Sequence, residues 1–529
     1  MKISTIHRQQ TGFFSQQQLD MSYNQAVYAD FLTKPFSPEA FETQIQRKKE
    51  VFSSEKRDQL VQVLKKQYAG VETNAAVAAN IELLANQNTF TVVTGHQMVA
   101  MTGPLYFIYK IAHVIRSAQE LKKRYPQYNF VPVFWMASED HDYDEVKSFH
   151  LFNRTITWET AQTGPVGRFE MKDWEPVIEQ LTELFKNHPD SELMELLSVF
   201  TGNQYTEAFR KLVNHLVGRY GVVIIDGDDA VLKRSFLPYM KKDVQEQFSF
   251  NAITQTTDQL IQRGGKQQIV PREINLFYIE KGVRERLVAV GGHVEIAGKG
   301  TYLIPEILDW MERAPEEFSP NVSLRPLYQE VILPNLCYVG GAGEINYWLQ
   351  LKSVFDRADV LFPLLQTRNS MVWIDKNTSE KMEKLHLEPA DMFKELHLLN
   401  KEYLEANASD EVDFSELDKQ MEVLKRVLNE TTLSIDPSLE AYAAAESVRM
   451  EKQLTQVKDR LYKTVKGKHD KDLKTLQQIK EKLFPGNGLQ ERYTNFFQLN
   501  PTGNYSIVLD AIVENAQPFN ADFIILEEE

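Results

Sequence analysis

Thr91-Val-Val-Thr-Gly-His-Gln-Met-Val-Ala-Met-Thr-Gly-Pro-Leu-Tyr-Phe-Ile-Tyr-Lys110 reads as a strand, a glycine turn and the start of a helix. A β-branched run ends at Gly95, small and polar residues fill the turn, and Gly103 and Pro104 precede apolar positions at Leu105, Ile108, Ile111, Ala112 and Ile115. The turn after a strand's carboxyl end is where open α/β sheets hold ligands. Unpaired N–H groups and a positive helix dipole are expected beside His96 and Gln97, a setting for phosphate or carboxylate. Thr102 and Tyr106 belong to the same candidate cradle.

Working outward, similar short apolar runs occur at 90–93, 130–136, 221–225, 336–339 and 360–363, each followed by a turn and usually a helix. That alternation predicts an α/β core, a parallel sheet wrapped by helices. The first 89 residues read as a helical layer, and 90–376 as the core. Two stretches, about 149–203 and 249–318, are too long for simple crossovers and read as insertions. The second has strand-like pieces at 268–270, 275–279 and 286–290, so a small β-rich subdomain is expected.

From 377 to 484 glycine almost vanishes and Leu, Lys, Glu and Gln dominate. Leu454, Val457, Leu461, Val465, Leu476, Ile479 and Leu483 are spaced as a coiled-coil seam. A single helix over 439–483 would be about 65 Å long. It must project from the body or pair with another chain. Residues 485–529, with strand-like sequence at 505–509 and 522–526, read as a segment returning to the core.

Composition narrows the function. A formal net charge of −15 argues against sequence-independent nucleic-acid binding. The lysines between 463 and 474 alternate with Asp470 and Asp472 and read as a solvated helix face. Cys337 is the single cysteine, which excludes a disulfide framework and a paired-cysteine metal or redox site. It reads as a small buried side chain rather than a nucleophile. No run of 18 apolar residues and no secretory-type start is seen, so a cytoplasmic protein with no membrane partner is expected. No metal-ligand set is recognisable.

Three further constellations carry chemistry. In Phe130-Val-Pro-Val-Phe-Trp-Met-Ala-Ser-Glu-Asp-His-Asp-Tyr-Asp-Glu145 a buried strand runs into a cluster of acids. Glu139, Asp140, His141 and Asp142 are candidates to hold an amine, a sugar hydroxyl or hydrated magnesium, with helix capping as the structural alternative. In Leu336-Cys-Tyr-Val-Gly-Gly-Ala-Gly-Glu-Ile-Asn-Tyr-Trp348 the glycines Gly340, Gly341 and Gly343 permit close backbone approach. Glu344 and Asn346 follow as candidate ligand contacts. Arg325, in Ser323-Leu-Arg-Pro326, and Arg368 are candidate cations for carboxylate or phosphate.

Five of these motifs in register resemble the BshC-type cysteine-adding enzymes of bacillithiol biosynthesis. They are Val92-Val-Thr-Gly-His-Gln97 with Thr102-Gly-Pro-Leu-Tyr106, Pro132-Val-Phe-Trp135 with Glu139-Asp-His-Asp142, Ser323-Leu-Arg-Pro326, Gly340-Gly-Ala-Gly-Glu344 and Gly488-Leu-Gln-Glu-Arg492. The resemblance spans essentially the whole chain. One departure is His96, where many members are expected to carry glutamine. The resemblance implies a Rossmann-like, nucleotidyltransferase-type core with connecting-peptide insertions and a protruding helical coiled coil that forms a homodimer. It also implies a ligase adding cysteine to glucosaminyl-malate in the last step; since a carboxylate and an ammonium do not condense in water without activation, ATP or ADP is the expected cofactor, with magnesium a candidate at the acidic loop. A second nucleotide region is implied around Gln490, Arg492 and Asn495.

On this reading His96 and Gln97 stabilise developing charge, Asp140 or His141 orients or deprotonates the amine, and the Gly340 turn holds ribose or amino acid. The rival readings are a non-catalytic nucleotide-binding coiled-coil scaffold and a tRNA-directed synthetase-like enzyme. The acidic balance weighs against the latter.

Overall fold

The computed structural model describes residues 1–408 and 413–529. The chain forms two compact units. The larger holds residues 3–373 and 489–526, and the smaller is built mainly from residues 374–488.

At the centre of the larger unit is a five-stranded sheet in the order Leu364–Thr367, Asn335–Gly340, Thr89–Gln97, Asn129–Ala137, Val223–Asp226. Every neighbouring pair is parallel. Numbered along the chain, the strands run 3-2-1-4-5 across the sheet, the order of a Rossmann-type half-plus-half winding. The order reverses between the Thr89–Gln97 and Asn335–Gly340 strands. Their carboxyl ends therefore bound the crevice where such folds take ligands.

These strands are near-continuous apolar runs because helices cover both faces. Phe90 and Val92 join one buried cluster with Phe41, Val114, Leu121 and Cys337, whereas Val93 joins the main core with Val133 and Trp135. Each fully buried side chain of that size contributes about 1.5–3 kcal/mol. The helix Tyr106–Arg124 follows the first strand with an apolar face from Phe107 to Leu121 and basic residues in its last turn.

The insertions have different textures. Residues 148–157 form a hairpin, and the helices Glu175–Leu184 and Glu192–Val199 follow. Beyond the helix Phe248–Gln262, an antiparallel sheet runs in the order Gly300–Leu303, His293–Ile296, Val283–Val290, Leu276–Glu280, Phe318–Pro320. The expected strand at 268–270 is not formed; Gln350 instead hydrogen-bonds the backbone of Gln268 and Ile269.

Three further expectations are corrected. The run at 360–363 is loop, since Asp359 ends a helix in the left-handed conformation (φ 52°) and Pro363 has no N–H to donate. The strand starts after it, at Leu364. Residues 505–509 enter a helix, Ser506–Asn515, whose buried Val508, Leu509, Ile512 and Val513 have helical rather than alternating spacing. The N-terminal layer begins with a strand, Lys2–Ile6, before its helices Ala40–Val51, Ser54–Gln67 and Ala75–Leu83.

In the smaller unit the helix expected over 439–483 is broken at His469 into Glu440–Lys468 and Asp470–Leu483. The longer piece pairs antiparallel with Ser415–Ile435, through Lys458 with Asp418 and Lys425 with Glu451. The hairpin thus pairs within the chain. Much of its apolar seam is uncovered all the same: Val457 is 52% and Leu461 43% exposed.

Candidate functional site

At the order reversal, a cavity of about 260 Å³ is lined by Gly95, His96, Gln97, Trp135, Glu139, Asp140, Asn321, Arg325, Tyr338, Glu344 and Tyr347, among others. Parallel register puts Gly95 beside Trp135 and Gln97 beside Ala137, so the first two motifs end at one level of the sheet. Gly95 is tightly placed: a Cβ there would lie 3.3 Å from Trp135 Cβ and 3.7 Å from Arg325 Nη1.

Lys110, one helical turn beyond Tyr106, is the residue that ties the two motifs together. Its Nζ donates to Gly95 O at 2.9 Å and forms an ion pair with Glu344. The lysine side chain is 2% and the glutamate 29% exposed. Burial works to raise the Glu344 carboxyl, but the Lys110 ammonium outweighs it and holds the group below its ordinary range. Glu344 also accepts from Gly341 N at 3.1 Å, so it caps its own helix.

His96 Nδ1 faces Gln97 O at 2.9 Å and Nε2 faces Tyr106 Oη at 3.2 Å. A carbonyl only accepts, so the ring proton sits on Nδ1 and Nε2 accepts from the tyrosine. Burial, seconded by the Lys110 charge, lowers His96 to about 4, and the ring is neutral near pH 7. Arg325 stacks over Trp135 and Tyr338, at 5.6 and 5.7 Å, and Nη1 donates to Gln329. Its Nη2 is buried without a well-formed hydrogen bond among the described residues, and the guanidinium lies beside the Tyr347 hydroxyl.

The acidic loop forms the opposite wall. Asp140 is 36% exposed, and desolvation raises its carboxyl against the pull of Arg284 and Arg325. His141 and Asp142 are exposed and lie outside the cavity lining; His141 Nδ1 meets Arg284 Nη1 at 2.7 Å. Behind the wall, Glu139 pairs with the fully buried Lys233, which also binds Asp228. Arg168 clasps Asp228 with two hydrogen bonds.

Several other expected site residues are placed elsewhere. The helix start is not an open cradle: Leu105 N donates to Thr494 O, and Asn495 Nδ2 donates to Met101 O and Gly103 O. Thr102 and Gly103 are thereby covered by the 494–495 segment, while half-buried Pro104 lines a second cavity. Gln490 spends its amide on both backbone groups of Trp373. Arg368 is clamped by Glu491 at 2.7 and 2.9 Å and is 5% exposed, a buried ion pair rather than an anion receptor. Arg492, by contrast, is exposed and lines the same second cavity, of about 360 Å³, with Tyr106, Glu145, His150 and Tyr493. His96 and Gln97 form the shared wall of the two cavities. Gly341 and Gly343 face open space, Gly340 does not, and Asn346 is buried with its Oδ1 unmatched among the described residues.

A profile described as the bacillithiol biosynthesis BshC N-terminal Rossmann-like domain matches residues 1–369, and its C-terminal coiled-coil counterpart matches 371–528. The chain belongs to the BshC family of bacillithiol biosynthesis. A Flavobacterium johnsoniae relative named "Putative cysteine ligase BshC" is 38% identical, covering 99% of this chain and all of its own. Relatives of the same name from Christiangramia forsetii and Bacillus anthracis are 33% and 28% identical, covering 99% and 95% of this chain and 99% and 96% of theirs. The family's Rossmann-like domain agrees with the strand order.

Sequence reasoning missed Lys110, Tyr338, Tyr347, Asn321 and Arg284. Lys110 had a signal: it sits four residues after Tyr106 on the helix that follows the glycine turn. Arg284 had none, because it lies in an insertion 143 residues from His141. Among the described residues no group of three or more His, Cys, Asp or Glu side chains is placed to hold a metal, and no helix is long and apolar enough to cross a membrane.

Proposed function

We propose that this protein is a ligase that joins the carboxylate of cysteine to the amine of glucosaminyl-malate, the last step of bacillithiol synthesis, with nucleotide-dependent activation of the carboxylate. Family membership and the relatives' names support the reaction class. The observation that carries the reading is that Arg325 and Asp140 line one cavity at the sheet's order reversal.

A carboxylate and an ammonium do not condense in water, and a nucleotide supplies the missing activation. Arg325 fits a phosphate-bearing group in this cavity, whereas Gly340, Gly341 and Gly343 lie outside its lining and the Gly341 N–H is spent on Glu344. Magnesium, which is usually bound by one or two carboxylates together with phosphates, would arrive with it. The protein's own work is then positioning and proton transfer. Arg325 holds an anionic oxygen. The Gln97 side-chain amide donates to the charge that develops on the activated carbonyl, while neutral His96, whose one ring proton is spent on Gln97 O, orients Tyr106. Asp140, with its carboxyl raised, takes a proton from the amine as its lone pair forms the C–N bond and the activating group leaves with the electrons of the broken C–O bond.

The test is product analysis with ATP, cysteine and glucosaminyl-malate. AMP with pyrophosphate marks adenylate activation, and ADP with phosphate marks an acyl phosphate. Bacillithiol formed with neither refutes the activation scheme. A homodimer through the helical unit is part of the same proposal, supported by the uncovered apolar residues of its hairpin, Val448 at 63% and Val427 at 49% exposed.

A further inference from the structure

We propose that Arg284, brought in by the inserted antiparallel sheet, is a positioning residue that fixes His141 as a hydrogen-bond donor and leaves Asp140 to take the proton. The part concerning Asp140 rests on the ligase reading; the part concerning His141 rests on geometry alone.

Arg284 is the second residue of the strand Val283–Val290. Its guanidinium carbon lies 3.9 Å from the ring centroid of Phe277, on the neighbouring strand, and its side chain is 5% exposed. The same phenylalanine ring lies 5.8 Å from the His141 ring. Phe277 thus seats both groups, and the arginine is held in place rather than solvated.

A guanidinium carries only donors. With Arg284 Nη1 at 2.7 Å, His141 Nδ1 must accept, and the ring proton is on Nε2. Protonating the ring would set an N–H against the arginine's N–H at that distance. His141 therefore presents Nε2–H to its surroundings and does not serve as proton acceptor while Arg284 stays. The other arginine nitrogen, Nη2, lies 3.7 Å from Asp140 Oδ1, which fixes the carboxylate beside the ring. Asp140 faces Arg284 and His141 on this side, Arg325 across the cavity, and Asp142 on its own loop; burial raises it against the two cations. Of the two loop carboxylates that line the cavity, Glu139 is tied to the Lys233 ammonium, which leaves Asp140 to accept a proton.

The test uses the full-length protein labelled with ¹⁵N at histidine, with the His141 signals assigned by their loss in His141→Gln. Near neutral pH the wild type is expected to show a protonated Nε2 and a bare Nδ1. Arg284→Met should release a mixture of tautomers, and Arg284→Lys, which still donates, should keep the wild-type tautomer in part. In ligation assays Arg284→Met should lower kcat about ten-fold or more with partial rescue by lysine. Asp140→Asn should lower it about a hundred-fold or more. A proton on Nδ1 in the wild type, an unaltered spectrum in Arg284→Met, or full activity in Asp140→Asn would each overturn the proposal. If Arg284→Met does not fold, the wild-type and Arg284→Lys spectra decide. The expected spectra with no ligation by any form would refute the ligase reading and leave the arginine's role standing.

Discussion

Replacing Lys110 with methionine tests whether the two motif turns are held together by one ion pair. The substitution keeps the length of the side chain and its packing in the helix Tyr106–Arg124, but removes the charge from Glu344 and the donor from Gly95 O. Breaking a fully buried pair by losing one partner costs about 3–5 kcal/mol. Glu344 is 29% exposed and recovers part of its solvation, so the cost here is about 2–3 kcal/mol. Urea unfolding of Lys110→Met, Glu344→Gln and the double variant reads this as a cycle. The double variant should be more stable than the sum of the singles by about 1 kcal/mol or more, because it leaves no uncompensated charge. The His96 ring should also titrate at higher pH in Lys110→Met, since a cation that lowers it has gone. Additive losses together with an unmoved His96 titration would refute the ion pair as the tie between the turns.

Arg368→Leu should cost about 3–5 kcal/mol, because it strands buried Glu491, and should do so with or without substrates; a selective loss of substrate affinity would instead restore it as a ligand residue. Arg325→Met should raise KM for at least one anionic substrate about ten-fold and also lower stability by about 1–3 kcal/mol, since it takes the donor from buried Gln329; calorimetry and kinetics check this, and an unchanged KM would refute the anion-holding role. On acidification, His96 and His113 stay neutral in the fold down to about 4, whereas unfolded histidines protonate from 6.5. The unfolded state binds more protons there, so these groups lower stability as pH falls from 6.5 towards 4, partly offset by Asp243, raised to about 6. Denaturation midpoints across that window read the net slope. Val448→Lys with Val457→Lys should convert the proposed dimer to monomer in sedimentation equilibrium; an unchanged mass would refute the hairpin as its interface.

By itself the sequence determined the local grammar of the core. Four of the five parallel strands, the turn at Gly95 and the helix after it follow from β-branched runs, glycines and the 3.6-residue period, all carried by neighbours in the chain. It also brought His96, Gln97, Asp140, Arg325 and Glu344 forward as one site, and the structure brings them to one cavity. Tertiary structure decided which polar groups remain free to act. Arg325 and Arg368 look alike in sequence, yet Glu491, 123 residues further along, neutralises one, whereas the other has no carboxylate ion pair among the described residues and lines the cavity. The Gly103 turn reads as an anion cradle until Thr494 and Asn495 close it from the far end of the chain. Arg284 reaches His141 only because an inserted sheet folds over the acidic loop. Pairing of this kind is set by long-range packing and the cost of leaving a buried charge unmatched, and neither has a signature in local spacing.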